Sequence, residues 1–573
     1  MACAGRETSL DDLIVEAMER PLSRRDVLRR GRNLGLTVAA SGFLSACGSA
    51  VSAHSAQPDR PGPHPRARYL VMLIVDAGRP DYLTYTELPN IKQLMTRGTY
   101  YDRAWVGQLE AVTPASHASI SSGCFPSSDG GILGFWWEDP ASGTTFNSVP
   151  LDGSDPDSLS VLMANAGTPT MAEYLKRHDA RAKVYAASGQ KFYAADAVGG
   201  PAADYISYFK PTGSGGWGPT CIPGHDLPAW MLNQTGITQR SYAGLPLGKQ
   251  DALVGELALK VVRQERPRIM ILNLPEMDWP VAHIDGGPRS PNLVSTLMKG
   301  ADAMLGQLVN EYASAGILHE TVFMVLGDHG VTPLERFVDP HAIKGAMETV
   351  DTVVSYDTHT GAFGWLADER LAASAANAVE QANVPNVTAV YHLAYRNGRR
   401  TYLPAPNTAR ATHDTLGRAY QYLLHTTAGE NAPHVVCFYP ERTGTLGSGG
   451  TLTPWKGDHG GPSWGSQAIP LVMAGPGVKA GHVSHFPARL VDLAPTVMRM
   501  LGVPYPTTDG IVLADCMQSP IQSDMRRQQS LASYLVPYAG ALRRQSALET
   551  SGLPRMHQIK HPSSNSIGIS PSY

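Results

Sequence analysis

The chain has 573 residues, a formal net charge of −3 and 17% charged side chains. That balance supplies no basic patch for nucleic acid and no acidic run that would stay disordered. Six cysteines (Cys3, Cys47, Cys124, Cys221, Cys437, Cys516) show no C-x-x-C spacing, which argues against a thiolate zinc site or a disulfide framework and leaves oxygen and imidazole to hold any metal.

In chain order, the first predicted element is an export signal over residues 1–47. PLSRRDVLRRG sets Arg24 and Arg25 after Ser23, and an uncharged stretch of moderate hydrophobicity follows from Asn33 to Ala46, too short to span a bilayer. The S-R-R-x-V-L form resembles a twin-arginine signal, and LSAC at Leu44–Cys47 resembles a bacterial lipobox that would leave Cys47 lipidated. The alternative is an ordinary signal cleaved nearby, with Cys47 removed. The expected location is the periplasm or the cell surface, with membrane contact only through a lipid anchor at Cys47. Residues 48–66, rich in Ser, Ala, Pro and His, suit a flexible tether.

A catalytic domain over 67–520 is predicted next. YLVMLIV (69–75), RIMILNL (268–274), TVFMVLG (321–327) and IPLVMAG (469–475) are short continuous apolar runs of the kind that form strands buried on both faces. Helical patterns lie between or after them at 251–264, 294–313 and 488–501. Alternating strands and helices predict an α/β fold, a mostly parallel central sheet with helices on both faces. Insertions are expected near 135–250, rich in Gly, Pro and aromatics, and near 331–450, where FGWLAD, a helix at 371–382 and NVTAVYHL suggest a small βαβ unit. Such segments cap the active face of a sheet. Residues 521–573 are more polar and read as a peripheral tail.

Three of the strand runs lead into acids: Asp76 in VDAGRPD, Asp278 in PEMDWPVAHIDGG and Asp328 in LGDHG. In α/β sheets, sites form beyond the carboxyl ends of strands, so these acids are expected to meet. His283, His329 and His459 (in GDHGG) join them, and a mixture of Asp with His suits zinc more than magnesium or calcium. Two divalent cations a few ångströms apart can clamp an in-line phosphoryl displacement. Thr113, in VTPASH, is followed by Pro114 and small residues, which predicts an N-cap hydroxyl at a helix N-terminus where a phosphate would bind.

With these motifs the chain resembles the alkaline phosphatase superfamily, most closely its branch of type I phosphodiesterases and nucleotide pyrophosphatases, from about Tyr69 to Leu501. VDAGRPD matches the branch's V-D-G-x-R-x-D motif, and TPASHASISSGCFP resembles its T-x-P-N-H nucleophile segment. DWPVAH, GDHG (327–330) and GDHG (457–460) match its D-x-x-x-H, S-D-H-G and G-x-H-G motifs. The resemblance implies one metal on Asp76, Thr113, Asp328 and His329, and another on Asp278, His283 and His459. It also implies Thr113 as nucleophile, a phosphothreonine intermediate and a small-molecule phosphate ester substrate. Asp285 and Asp458 adjoin the motifs as candidate supports for metal-bound imidazoles, and His117 as a structural hydrogen-bonding group.

The chain departs from the branch at three points, and from a phosphomonoesterase segment at a fourth. Asp278 and His283 are five apart rather than four. Ser116 replaces an Asn that donates to a phosphoryl oxygen. Pro114 replaces a nucleobase-stacking aromatic. In SGQKF, which resembles the S-G-K-D-R segment of threonine-dependent phosphomonoesterases, Phe192 stands in place of Arg and Lys191 remains as a point charge. Without the bidentate Arg, singly charged diesters are expected ahead of doubly charged monoesters. The alternatives are a phosphomonoesterase, a phosphonoacetate hydrolase-like enzyme, or a non-catalytic surface lipoprotein using the scaffold for binding.

Overall fold

Alternate residues of the first strand serve two different cores. A computed structural model of the protein describes residues 67–551 except 130, 135, 139–145, 149–155, 212–216, 233–245, 412–413 and 447–454. The expected export signal with Cys47 and the 48–66 tether lie outside the described residues. In strand Tyr69–Val75, Leu70, Met72 and Ile74 face one apolar cluster, while Tyr69, Val71, Leu73 and Val75 face another. Burial on both faces is what an uninterrupted apolar run requires.

In chain order we number β1 (Tyr69–Val75), β2 (Thr99–Tyr101), β3 (Val184–Ala187), β4 (Tyr205–Pro211), β5 (Trp217–Cys221), β6 (Ile269–Leu274), β7 (Thr321–Gly327), β8 (Val353–Thr358), β9 (Gly361–Leu366), β10 (Ala389–Arg396), β11 (Arg399–Pro404), β12 (Val435–Phe438), β13 (Leu471–Ala474) and β14 (His482–Ser484). The main sheet has nine strands in the order β14-β2-β13-β7-β1-β6-β3-β4-β5. From β7 to β4 the neighbours are parallel. The run predicted at 469–475 forms β13, which enters antiparallel between β7 and β2. Helices Lys249–Glu265 and Pro291–Ser314 cover one face, and Thr113–Ser122, Phe192–Gly199 and Leu493–Met500 the other.

The segment 135–250 supplies β3, β4 and β5 to this sheet. Its strand β3, VYAA, is short and half alanine, too weak an apolar run to stand out in sequence. The segment 331–450 builds an antiparallel sheet, β8-β9-β12-β10-β11. Helix Ala372–Ala382 links β9 to β10, and β12 inserts between those two strands. Residues 522–549 form one helix that buries Leu535, Tyr538, Ala539 and Leu542. It packs against Glu441 and Trp464: Ser546 Oγ accepts from Trp464 N at 2.9 Å, and the Glu549 carboxylate accepts from Glu441 N at 2.7 Å. No helix among the described residues is long and apolar enough to cross a membrane.

Candidate active site

β1 and β7 are adjacent and parallel, so Asp76 and Asp328 leave the sheet side by side at the same end. Two glycines permit the approach. A Cβ on Gly78 would stand 2.6 Å from Val75 O, and one on Gly327 would stand 2.5 Å from Gly78 O. Ala77 takes a left-handed φ of 56°, costly for a residue with a side chain, and its N–H donates to Asp328 Oδ1 at 3.0 Å. His329 N donates to the same oxygen at 2.9 Å. Asp76 Oδ2 accepts from Asn273 Nδ2 at 3.0 Å, an asparagine set within β6.

Thr113 opens the fully buried helix Thr113–Ser122. It is the first helical residue rather than the N-cap, because Val112 holds the extended cap conformation and Pro114 occupies the first turn. The Thr113 hydroxyl lies 3.4 Å from Asp76 Oδ1 and 3.2 Å from His329 Nε2. Ser116 is buried in this helix, and its Oγ has no hydrogen-bond partner among the described residues. His117 Nδ1 lies 2.9 Å from Thr113 O and 3.5 Å from Asp328 Oδ2.

The five-residue spacing of Asp278 and His283 is absorbed in a widened turn. Residues Asp278–Ala282 form a π-type turn in which His283 N donates to Asp278 O and Trp279 leaves helical geometry (φ −123°, ψ 111°). Such turns recur at functional sites. The extra residue therefore costs no proximity: His283 Nε2 and His459 Nε2 each lie 3.4 Å from Asp278 Oδ1. The two halves meet, since the rings of His329 and His459 stack at 3.7 Å.

The donor atoms are arranged for cations. Nδ1 of His283, His329 and His459 lies 2.9–3.0 Å from the carbonyls of Gly457, Gly330 and Ala111 respectively. A carbonyl can only accept, so each Nδ1 carries the proton and each Nε2 lone pair faces the cluster. Asp278 Oδ1 and Asp328 Oδ2 are buried with no hydrogen-bond partner among the described residues. Three groups, Asp76/Asp328/His329, Asp278/His329/His459 and His283/Asp458/His459, bring their donor atoms within 4.8 Å of one another. Unpaired carboxylate oxygens and preset imidazole lone pairs fit divalent cations.

Lys191 spans the halves. Its Nζ lies 2.8 Å from Asp76 Oδ1, 2.6 Å from Asp278 Oδ2 and 3.2 Å from Thr113 Oγ, in a side chain that is almost fully buried. Burial would lower its pKa, but Asp278 and Asp76 hold it well above the ordinary range. Burial likewise opposes ionisation of Asp278, which Lys191 and His283 nonetheless hold well below the usual carboxylate range. Burial raises Asp76 and Asp328, and lowers His283 and His329.

Sequence reasoning did not single out Asn273, Glu110 or His359. A polar residue inside the apolar run of β6 was the available signal for Asn273. His359 comes from the turn between β8 and β9, a region with no recognisable motif. Its Nδ1 lies 3.5 Å from Asp458 Oδ1, its Nε2 lies 3.7 Å from Asp357 Oδ1, and its ring parallels that of His459 at 6.0 Å. Burial opposes its charge, but Asp357, Asp458 and Glu110 push its pKa to about 10. Asp458, through Oδ1, also accepts from His459 N at 2.8 Å and lies 4.0 Å from His283 Nδ1.

The family model described as type I phosphodiesterase/nucleotide pyrophosphatase matches residues 70–441. No curated protein matches the sequence. Among solved structures, the wild-type alkaline phosphatase PafA superposes with a TM-score of 0.61 at 16% identity, covering 79% of this chain and 99% of its own. Murine ectonucleotide pyrophosphatase/phosphodiesterase 5 gives 0.53 at 14% identity, covering 78% and 100%. An inactive variant of that murine protein, in complex with AMP, gives 0.52 at 14% identity, covering 79% and 100%. At these identities the superpositions establish a shared alkaline phosphatase-like fold.

Proposed function

Because the chain belongs to the type I phosphodiesterase/nucleotide pyrophosphatase family, whose members hydrolyse phosphoric esters, we propose that it is an exported two-metal hydrolase of phosphodiesters or nucleotide pyrophosphates acting through Thr113. The observation that carries this is the surrounding of one hydroxyl. Thr113 Oγ has Asp76, His329 and Lys191 within 3.2–3.4 Å, at the N-terminal turn of a buried helix.

Asp76, Thr113, Asp328 and His329 would hold one divalent cation and Asp278, His283 and His459 the other. Zinc is favoured by the Asp/His donor set, and it would lower the pKa of the threonine hydroxyl and offset charge on the phosphoryl oxygens. Thr113 Oγ attacks phosphorus as the ester P–O bond breaks, and the proton given up by Thr113 to solvent is matched by one taken up by the departing alkoxide, giving an alcohol and a phosphothreonine that keeps the second ester group. Water then attacks the phosphothreonine, returning the threonine hydroxyl and releasing the phosphate product. The N–H groups of the first helical turn face the transferred group. Lys191 Nζ lies between the two carboxylate sets, within reach of an oxygen on the phosphorus that Thr113 attacks. The Ser116 hydroxyl, unpaired among the described residues, is a second candidate donor.

The diester preference rests on charge. Lys191 offers a single ammonium rather than a planar fork, and Phe192 follows it, buried in the core, where a phosphomonoesterase-like segment would carry Arg. One fixed cation suits a singly charged phosphoryl group. Export, and the lipid anchor at Cys47, rest on the sequence of residues 1–47. The deciding experiment compares bis-p-nitrophenyl phosphate with p-nitrophenyl phosphate on purified, zinc-loaded protein. Faster diester cleavage is expected. Cleavage of neither compound would defeat the hydrolase reading, and a faster monoester rate would defeat the diester reading.

A further inference from the structure

β6 lies between β1 and β3, and one side chain near its end reaches both neighbours. Asp76 directly follows β1, Ser188 directly follows β3, and Asn273 is the penultimate residue of β6. The Asn273 side chain is buried, and its Nδ2 donates to Asp76 Oδ2 at 3.0 Å and to Ser188 Oγ at 3.1 Å. A carboxylate accepts and cannot donate, so the amide nitrogen rather than the amide oxygen faces Asp76. That nitrogen carries two hydrogens, and these two acceptors use both. The same orientation leaves Asn273 Oδ1 buried with no hydrogen-bond partner among the described residues. Every other residue of β6 (IMILNL) is apolar, and the whole strand is buried. An amide placed there with its oxygen unpaired is costly beside another aliphatic side chain. That cost points to a role beyond packing.

The other oxygen of Asp76 shows what the role is. Asp76 Oδ1 lies 2.8 Å from Lys191 Nζ, 3.4 Å from Thr113 Oγ and 3.6 Å from His329 Nε2. The two oxygens therefore have separate surroundings. Oδ2 is held by the strand-borne amide, and Oδ1 faces the candidate nucleophile and a second candidate ligand. A carboxylate hydrogen-bonded through one oxygen is restrained from turning that oxygen toward a cation. We propose that Asn273 is a positioning residue which, with Ser188 as its anchor, fixes Asp76 so that Oδ1 alone is presented to the cation beside Thr113. This rests on the reading of Asp76 as a metal ligand in a phosphoric ester hydrolase. Asn273 acts through Asp76 and touches neither the cation nor the phosphorus. Ser188 stands one bond further out. By accepting the second amide hydrogen it keeps the amide plane from rotating away from Asp76.

The test uses Asn273→Leu, which has nearly the same volume and suits an apolar strand. In a chelator titration of the zinc-loaded variant, the equivalent held by Asp76, Asp328 and His329 should be released at about 10- to 100-fold lower chelator, with the other equivalent unmoved. Repeating the titration in an Asp278→Asn background, where the other half is disabled, identifies the equivalent that moved. Ser188→Ala should shift the same equivalent by about 5-fold, the scale of one hydrogen bond. The zinc concentration giving half-maximal hydrolysis should rise in parallel, and excess zinc should restore part of the lost rate, which it would not do for a packing defect. Unchanged zinc release in Asn273→Leu, or an equal shift of both equivalents with a lower melting temperature, overturns the assignment and leaves Asn273 a packing residue. If Asn273→Leu does not fold, Ser188→Ala decides alone, and no shift there overturns the assignment. Metal release is read without hydrolysis, so the two readings separate. A selective shift in protein that cleaves neither p-nitrophenyl ester keeps Asn273 in its role and defeats the hydrolase reading. Active enzyme whose zinc release Asn273→Leu leaves unmoved does the reverse.

Discussion

The two halves of the candidate centre are built differently. Asp76 and Asp328 stand at the ends of adjacent strands, locked by the Gly78–Gly327 contact and by backbone N–H groups on Asp328 Oδ1. Asp278, His283 and His459 sit on a widened turn and on a loop, and their support includes the turn between β8 and β9, where Thr360 N donates to His459 O at 3.2 Å. Ligands fixed by a sheet need little reorganisation to accept a cation, whereas ligands on loops depend on whatever holds the loops. The sheet-borne half should therefore be the tighter one.

The predictions test that inequality, the largest effect first. Thr113→Ala should lower kcat by about 10³-fold or more, since the hydroxyl is the proposed nucleophile. Steady-state hydrolysis of a p-nitrophenyl diester measures it. Lys191→Met should cost about 10²- to 10³-fold in kcat/KM, as does loss of one charged donor in a water-excluded site. Retention of wild-type rates would remove Lys191 from the chemistry. Chelator titration of the zinc-loaded protein should release one equivalent before the other, at concentrations about 10- to 100-fold apart. Asp278→Asn should abolish the early release, and Asp328→Asn the late one. Simultaneous release would erase the distinction between the halves.

Acidity supplies a smaller effect. Burial lowers His283 and His329 below the ordinary histidine value of 6.5. Protons then compete for these lone pairs only at lower pH, so metal retention, measured after dialysis, should persist below pH 6.5. The smallest effect lies outside both halves. Burial raises the Asp129 carboxyl to about 8, against backbone hydrogen bonds from Ile132 and Gly131. A raised acid contributes stability that is complete below its unfolded value of 3.8 and is lost as pH rises through about 8. Asp129→Asn mimics the protonated form, so its melting temperature should exceed that of the wild type at pH 9 by about 1–2 °C, and by less at pH 6.

What could be read in the sequence follows the same division. β1, β6 and β7 stand out because strands buried on both faces must be continuously apolar, and the acids after them mark the sheet end. The spacing of Asp278 and His283 looked irregular because sequence distance does not reveal a π-type turn. β3 went unrecognised because VYAA packs through small side chains, and a five-stranded sheet lay hidden in 331–450 because β12 pairs between strands made earlier. Glu110 and His359 had no motif to mark them. Glu110 interacts with Asp357 and His359, on a turn more than two hundred residues away, and only the tertiary fold brings them together.

The position of β13 has a consequence for synthesis. It enters the main sheet between β2 and β7, and β14 then covers the other side of β2. A ribosome that has made the first four hundred and fifty residues has made neither strand, nor His459. Until then β2 has no partner and β7 presents a bare edge, the kind of surface that pairs with other chains. The sheet and the candidate ligand set are thus completed close together, late in translation, so a chain truncated before His459 lacks both and presents a template for aggregation.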